Sequence, residues 1–162
     1  QADLPVPEWF CLPAEVFQRA FAPVVTELAD ADLQTLIQNG PRLLAQHFPR
    51  TEINQALEAR LQTGEDYAVR SSALAEDSRR DSFAGQFDTW LHVSAEQVTE
   101  YILRCWQSIF SQRLLLYLKE RGYHWPDLSM AVLVQRMIPA QGSGVLFMAN
   151  PVGALTEAVR TS

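Results

Sequence analysis

The run YAVRSSALAEDSRRDSFAGQFDTWLHV, residues 67–93, contains a change of period. From Tyr67 onward, Tyr67, Val69 and Ser71 fall on one side of an extended strand, and Ala68, Arg70 and Ser72 on the other. This strand carries an arginine and a hydroxyl on one face and leads into a loop containing Gly85. Beyond the loop, residues 87–93 are rich in aromatic and β-branched side chains and predict a second strand.

On the C-terminal side, Ser94 followed by Gln97 has capping-box spacing. It predicts the start of a single long amphipathic helix, with Val98, Ile102, Cys105, Trp106, Ile109 and Tyr117 spaced by threes and fours, ending near Gly122. Residues 128–138 (LSMAVLVQRMI) and 144–150 (GVLFMAN) predict two further strands joined through Gln141, Gly142 and Ser143. On the N-terminal side, Pro13 is placed to open a helix bearing Val16, Phe17, Ala20 and Phe21. Residues 30–62 keep helical spacing in pieces, with breaks expected at Gly40-Pro41, Pro49 and Gly64.

The composition fits one soluble globular domain. The chain has 162 residues, 48% of them hydrophobic and 20% charged. A net charge of -6 argues against a nucleic-acid surface, which needs a concentrated basic footprint. No apolar run approaches the length of a membrane span, and the first residues lack the layout of a secretion signal, so a cytoplasmic location is expected. Cys11 and Cys105 lack metal-ligand spacing and are read as reduced, buried small residues. His47, His92 and His124 form no pattern, and no metal-ligating residues are proposed.

Among 13 basic residues only Lys119 is a lysine. A cation that grips phosphate here is therefore expected to be arginine, whose planar fork suits paired oxygen contacts. A strand ending in Arg-Ser-Ser before a glycine-containing loop has the parts of a phosphate cradle: a charge, hydroxyl donors and close backbone approach. No Walker sequence and no Gly-x-Gly-x-x-Gly fingerprint occurs. The residues alone leave two roles open for Arg70: phosphate cation, or ion-pair partner of Glu76, Asp77 or Asp81. Glu76 and Asp77 likewise fit either a magnesium site or solvated salt bridges, and Arg79 and Arg80 fit a solvated loop.

Three separated segments, VRSSALAEDSRRDSFAGQFDTWLHV, CWQSIFSQR and MAVLVQRMIPAQGSGVLFMANP, in that order, resemble the nucleotide-binding region of the phosphoenolpyruvate synthase and pyruvate phosphate dikinase family, which includes the rifampicin phosphotransferases. The opening LPVPEWFCLPAEVFQRAF resembles that family's first segment, with Glu8 and Trp9 standing where Pro-Gly is usual. Met148 stands where a threonine is usual.

The resemblance implies an α/β (α+β) fold: an ATP-grasp-like nucleotide-binding lobe with N-terminal helices, a mixed sheet and one long amphipathic helix. It implies a truncated domain, with residues 1–138 as first lobe and hinge and 139–162 as the start of a second lobe. It implies that ATP is bound with Mg2+, whose ligands are expected outside this chain, and that a phosphoryl group passes through a phosphohistidine domain to pyruvate or another acceptor. By position, Arg70 matches the catalytic arginine on the ATP phosphates, with Ser72 beside it. Ser82, Phe83, Ala84, Gly85 and Gln86 match the loop over the triphosphate, and Gln135, Arg136, Met137 and Ile138 the hinge strand along the adenine, read as a strand edge. Expected partners are the missing C-terminal lobe and phosphohistidine domain, with self-association through apolar surface on the strand at 144–149. The alternatives are a non-catalytic nucleotide-binding or protein-interaction module, or part of a rifampicin phosphotransferase-like enzyme.

Overall fold

Strand β2 (Asp66–Leu74) occupies the middle of a four-stranded sheet and pairs along its length with β4 (Ser129–Arg136). This computed structural model describes residues 5–74, 88–142 and 144. The loop at 82–86 and nearly all of the strand expected at 144–150 lie outside the described residues. Two more strands, β1 (Trp9–Leu12) and β3 (Thr89–Ser94), complete the order β1-β4-β2-β3. Five α-helices are described: α1 (Ala14–Glu27), α2 (Leu33–His47), α3 (Arg50–Glu58), α4 (Val98–Gln107) and α5 (Gln112–Arg121).

The α/β lobe is as expected, but the sheet is not mixed: among the described residues every neighbouring pair of strands is antiparallel. The cause is interleaving. Helices α1 to α3 join β1 to β2, which run the same way on either side of β4, while α4 and α5 join β3 to β4, which run the same way on either side of β2. Each helical crossover thus links parallel strands that are not neighbours.

The single long helix is also corrected, because residues 98–121 form two helices. Ser111 is extended (φ -66, ψ 139), and its hydroxyl oxygen accepts the Leu114 N–H at 3.4 Å, capping α5. One turn earlier the Ser108 hydroxyl donates to the Cys105 carbonyl at 2.7 Å. Serine side chains that satisfy nearby backbone groups compete with the helical ladder, and the turn at Ser108–Phe110 tightens into a 3-10 conformation. The apolar spacing hides this break because Ile109 and Phe110 stay buried through it. Ser94 closes no capping box with the backbone; its hydroxyl donates to Gln97 Oε1 at 3.4 Å, beside a 3-10 turn at Ala95–Gln97. Gly122, at φ 74, ends α5 in the left-handed conformation that glycine adopts without strain.

Helix α2 runs straight through Gly40-Pro41, where a break was expected. Proline in a helix interior costs about 3 kcal/mol relative to alanine, so tertiary contacts must offset it. Leu36, Gly40, Leu43 and Leu44 form a buried stripe, and Gln107 Nε2 donates to the Pro41 carbonyl at 2.9 Å. At the N-terminus of α2, Asp32 accepts from Thr35 N at 2.8 Å, and hydrogen bonds from Thr35 hold its carboxyl below the usual range.

The core lies between the helices and one face of the sheet. Met130, Val132 and Val134 on β4 and Tyr67 and Val69 on β2 are buried there. Above them Trp106 is fully buried, with edge-on contacts to Phe17 and Phe48 at ring separations of 5.4 and 5.1 Å. Phe21, Phe110 and Trp125 extend this aromatic cluster. Among the described residues no charged side chain is buried. Cys105 is buried as expected, whereas Cys11 is exposed, because alternation along β1 sends Phe10 and Leu12 toward the core and Cys11 away from it.

A Cβ added at Gly40 would fall inside van der Waals contact of the Phe110 ring. Gly40→Ala should therefore lower stability by about 1–3 kcal/mol, the cost of overpacking, although alanine is the better helix former by about 1 kcal/mol. A raised urea unfolding midpoint in this variant would contradict the close packing of α2 on Phe110.

Candidate functional site

The face of the sheet away from the helices is set by register. Ala68 pairs with Gln135, which pairs on its other side with Trp9. On the next row, Arg70 stands between Thr89 and Leu133, and Leu133 pairs with Cys11. On the row after that, Ser72 pairs with Ala131. Neighbouring strands lie about 4.8 Å apart and successive same-face residues about 6.8 Å apart, so Arg70, Ser72 and Gln135 share one patch. Trp9, Cys11, Arg70, Ser72 and Thr89 are exposed on it.

Several of the described arginines have a carboxylate or an aromatic ring as partner. Arg19 pairs with Glu52, Arg50 with Glu100, Arg104 with Glu100 and the Tyr101 ring, and Arg60 lies over Phe10. Among the described residues Arg70, like Arg42, Arg60 and Arg136, has no acidic partner. Glu76, Asp77 and Asp81, the ion-pair partners weighed from sequence, lie outside the described residues. Asp66, four residues back along the strand, pairs with His92 at 3.3 Å. Ser71 turns the other way, and its hydroxyl donates to the Asp88 carbonyl at 3.0 Å, tying β2 to the start of β3.

Gln135 is thus brought beside Arg70, whereas Arg136 falls on the opposite parity. The segment leading to the hinge is not a strand edge, because β4 is interior. Arg136 N–H donates to the Glu8 carbonyl at 2.9 Å, and Met137 N–H to the Asp66 carbonyl at 2.8 Å. Only past Met137 does the backbone leave the sheet, with Ile138 exposed and its carbonyl accepting from Ala140. Ser82, Phe83, Ala84, Gly85 and Gln86 lie outside the described residues.

Trp9 belongs to this face but was not singled out from sequence. The signal was present: Trp9 and Cys11 alternate with the inward Phe10 and Leu12, and an outward tryptophan on a strand is unusual. Trp9 is 58% exposed and also lines a cleft of about 300 Å3 with Phe10, Arg60 and Tyr67. Among the described residues no three His, Cys, Asp or Glu side chains converge, and no helix is long and apolar enough to cross a membrane.

A helix-backed sheet that gathers on one face an exposed arginine with no acidic partner among the described residues, a serine and a glutamine is consistent with a nucleotide-binding lobe. Residues 1–161 match the family described as pyruvate phosphate dikinase, AMP/ATP-binding domain, and the chain belongs to that family. It is 32% identical over 91% of its length to a rifampicin phosphotransferase of Bacillus subtilis (strain 168), and 38% identical over 91% to one from Streptomyces sp. It is 32% identical over 93% of its length to a probable phosphoenolpyruvate synthase of Methanothermobacter thermautotrophicus. The chain spans 19% of each of those two phosphotransferases and 25% of the synthase. The resemblance carried by the three sequence segments is therefore a true family relationship.

The two thiols on either side of the sheet should behave oppositely. Burial, with a smaller contribution from Asp88, pushes the Cys105 thiol up to about 12, so it stays protonated and unreactive at neutral pH. Its stabilising effect is complete below the ordinary thiol value of 9.0 and is lost as pH rises through about 12, because the unfolded chain ionises first. A thiol reagent at pH 8 should modify one cysteine per native chain, Cys11, and both cysteines in denaturant. Rapid modification of both in the native state would contradict the burial of Cys105.

Proposed function

We propose that this domain is the ATP-binding part of a phosphoenolpyruvate synthase-like phosphotransferase. In the longer protein a phosphoryl group would move from ATP through a phosphohistidine domain to pyruvate or another acceptor. The observation that supports this most directly is the exposed Arg70, with Ser72 and Gln135 on the same face and no acidic partner among the described residues, in a chain of the AMP/ATP-binding family. An exposed guanidinium that no described carboxylate engages suits an anion, whose paired oxygens match its planar fork.

The residues divide by chemistry. Arg70 would neutralise the phosphate oxygens and stabilise the charge that develops on them during transfer, the electrostatic role on which phosphoryl transfer chiefly depends. The Ser72 hydroxyl would donate a hydrogen bond beside it. The loop Ser82, Phe83, Ala84, Gly85 and Gln86 is assigned to cover the triphosphate, and Gln135, Arg136, Met137 and Ile138 to flank the adenine. When bound, ATP supplies the phosphoryl group. Mg2+ is assigned to carboxylates outside residues 1–162, and none of the described side chains is given to it. The proposed architecture is ATP-grasp, with residues 1–138 as first lobe and hinge and 139–162 as the start of the second, in a cytoplasmic protein.

A rifampicin acceptor is the second reading, favoured by relatives named rifampicin phosphotransferase that are 32–38% identical over 91% of the chain. In this proposal acceptor choice is assigned to other parts of the longer protein, and no residue of 1–162 is given that role.

Calorimetric titration of Mg-ATP into this chain and into Arg70→Ala tests the cradle. Losing a charge-assisted hydrogen bond of about 1.5–3 kcal/mol should weaken binding about 10- to 100-fold. In the longer protein the same change should slow ATP-dependent phosphorylation by about 100-fold or more, as for removal of a transition-state donor. Equal affinity and turnover in Arg70→Ala would remove Arg70 from the site.

A further inference from the structure

We propose that Trp9 is the stacking platform for the nucleobase and makes this site selective for a nucleotide over its bare polyphosphate. The proposal rests on the nucleotide reading of the Arg70 face and adds to it a residue on a different strand.

The geometry points to Trp9 on three grounds. First, Trp9 is 58% exposed, although a tryptophan on a strand of a helix-backed sheet is ordinarily turned into the core. Trp106, by contrast, is fully buried, and Trp90 and Trp125 pack against the core. Second, Trp9 is the cross-strand partner of Gln135, whose amide can both donate to and accept from a base edge. Third, the spacing suits a nucleotide. Arg70 lies two strands over and one same-face row along from Trp9, roughly 12 Å between Cα atoms from the regular sheet repeats, the scale that separates a base from its distal phosphates. An aromatic ring at one end of the patch and, at the other, a cation with no acidic partner among the described residues match the two chemical ends of a nucleoside triphosphate. The strand between them, β4, places Gln135 and Leu133 on this face, and neither carries a charge that would repel the ribose or the phosphates.

The usual Pro-Gly of related sequences is replaced by Glu8-Trp9 here, so the platform is a feature of this chain rather than of the family pattern. Stacking against one face of an indole is indifferent to the identity of the base, and the Gln135 amide would supply discrimination.

The test is titration of wild type, Trp9→Ala, Trp9→Phe and Arg70→Ala with Mg-ATP and, separately, with magnesium tripolyphosphate, which has no base. Trp9→Ala should lose about tenfold or more in Mg-ATP affinity, as expected for removing one base–aromatic stack, and keep its tripolyphosphate affinity. Trp9→Phe should retain most of the ATP affinity while losing the quenching of exposed-indole fluorescence that ATP causes in the wild type. Arg70→Ala should weaken both ligands alike. Wild-type ATP affinity in Trp9→Ala would overturn the platform, as would an equal loss for both ligands, and the Arg70 reading would stand in either case. If Trp9→Ala does not fold, the fluorescence comparison between wild type and Trp9→Phe decides, and no ATP-dependent quenching in the wild type overturns the proposal. A selective loss in Trp9→Ala with no loss in Arg70→Ala would support the platform and remove the cradle. Failure of the wild type to bind either ligand would overturn both.

Discussion

The ladder between β2 and β4 carries both halves of this structure. It pairs Tyr67 through Leu74 with Arg136 through Ser129, residue by residue. Since side chains alternate across a sheet, this one register places Val69, Val132, Val134 and Met130 in the core and Arg70, Ser72 and Gln135 outside it. A slip of one residue would drive the Arg70 guanidinium into the aromatic cluster and bring Val69 to solvent. The cost of burying an unpaired charge makes that slip prohibitive, so packing of the core also aims the cation. Stability and site geometry are two consequences of one pairing.

What holds that ladder against the helices is a layer of rings. Trp106 sits between Phe17 and Phe48, and Phe21, Phe110 and Trp125 continue the layer toward α5. Aromatic contacts with crossed ring planes add to what area burial alone provides. The close approach of α2 at Gly40 follows from the same layer, because only a residue without a side chain leaves room for Phe110. Charge has a small part in this framework. The ion pairs of Arg19, Arg50 and Arg104 are solvent-exposed, and such pairs contribute about 0–1 kcal/mol each. Arg70 is notable on the opposite ground, that the described surface gives it no acid to pair with.

Family membership supports a nucleotide ligand, and the Arg70 face is the surface proposed to hold it. The chain spans about a fifth to a quarter of the length of the three relatives named above. Two of its outward side chains, Trp9 and Arg70, came to lie on one surface from positions 61 residues apart, through a strand, β4, that belongs to neither.

Much of this was legible in the residues. The alternation from Tyr67 onward declared β2 and the face of Arg70 and Ser72, the apolar run at 128–138 declared β4, and Gly122 marked a helix end, because period and turn chemistry are local properties. Segment order also declared the family. Three features were not legible. The serines at 108 and 111 break a helix whose apolar spacing runs on unchanged, since the pattern records burial and not backbone hydrogen bonding. Gly40-Pro41 continues a helix that local propensity would end, because contacts with Phe110 and Gln107 come from 66 or more residues away. Cys11 and Trp9 face outward beside Leu133 and Gln135 because β1 adds to the far side of β4. Strand order is a long-range choice among elements that are locally alike, and no window of neighbouring residues contains it.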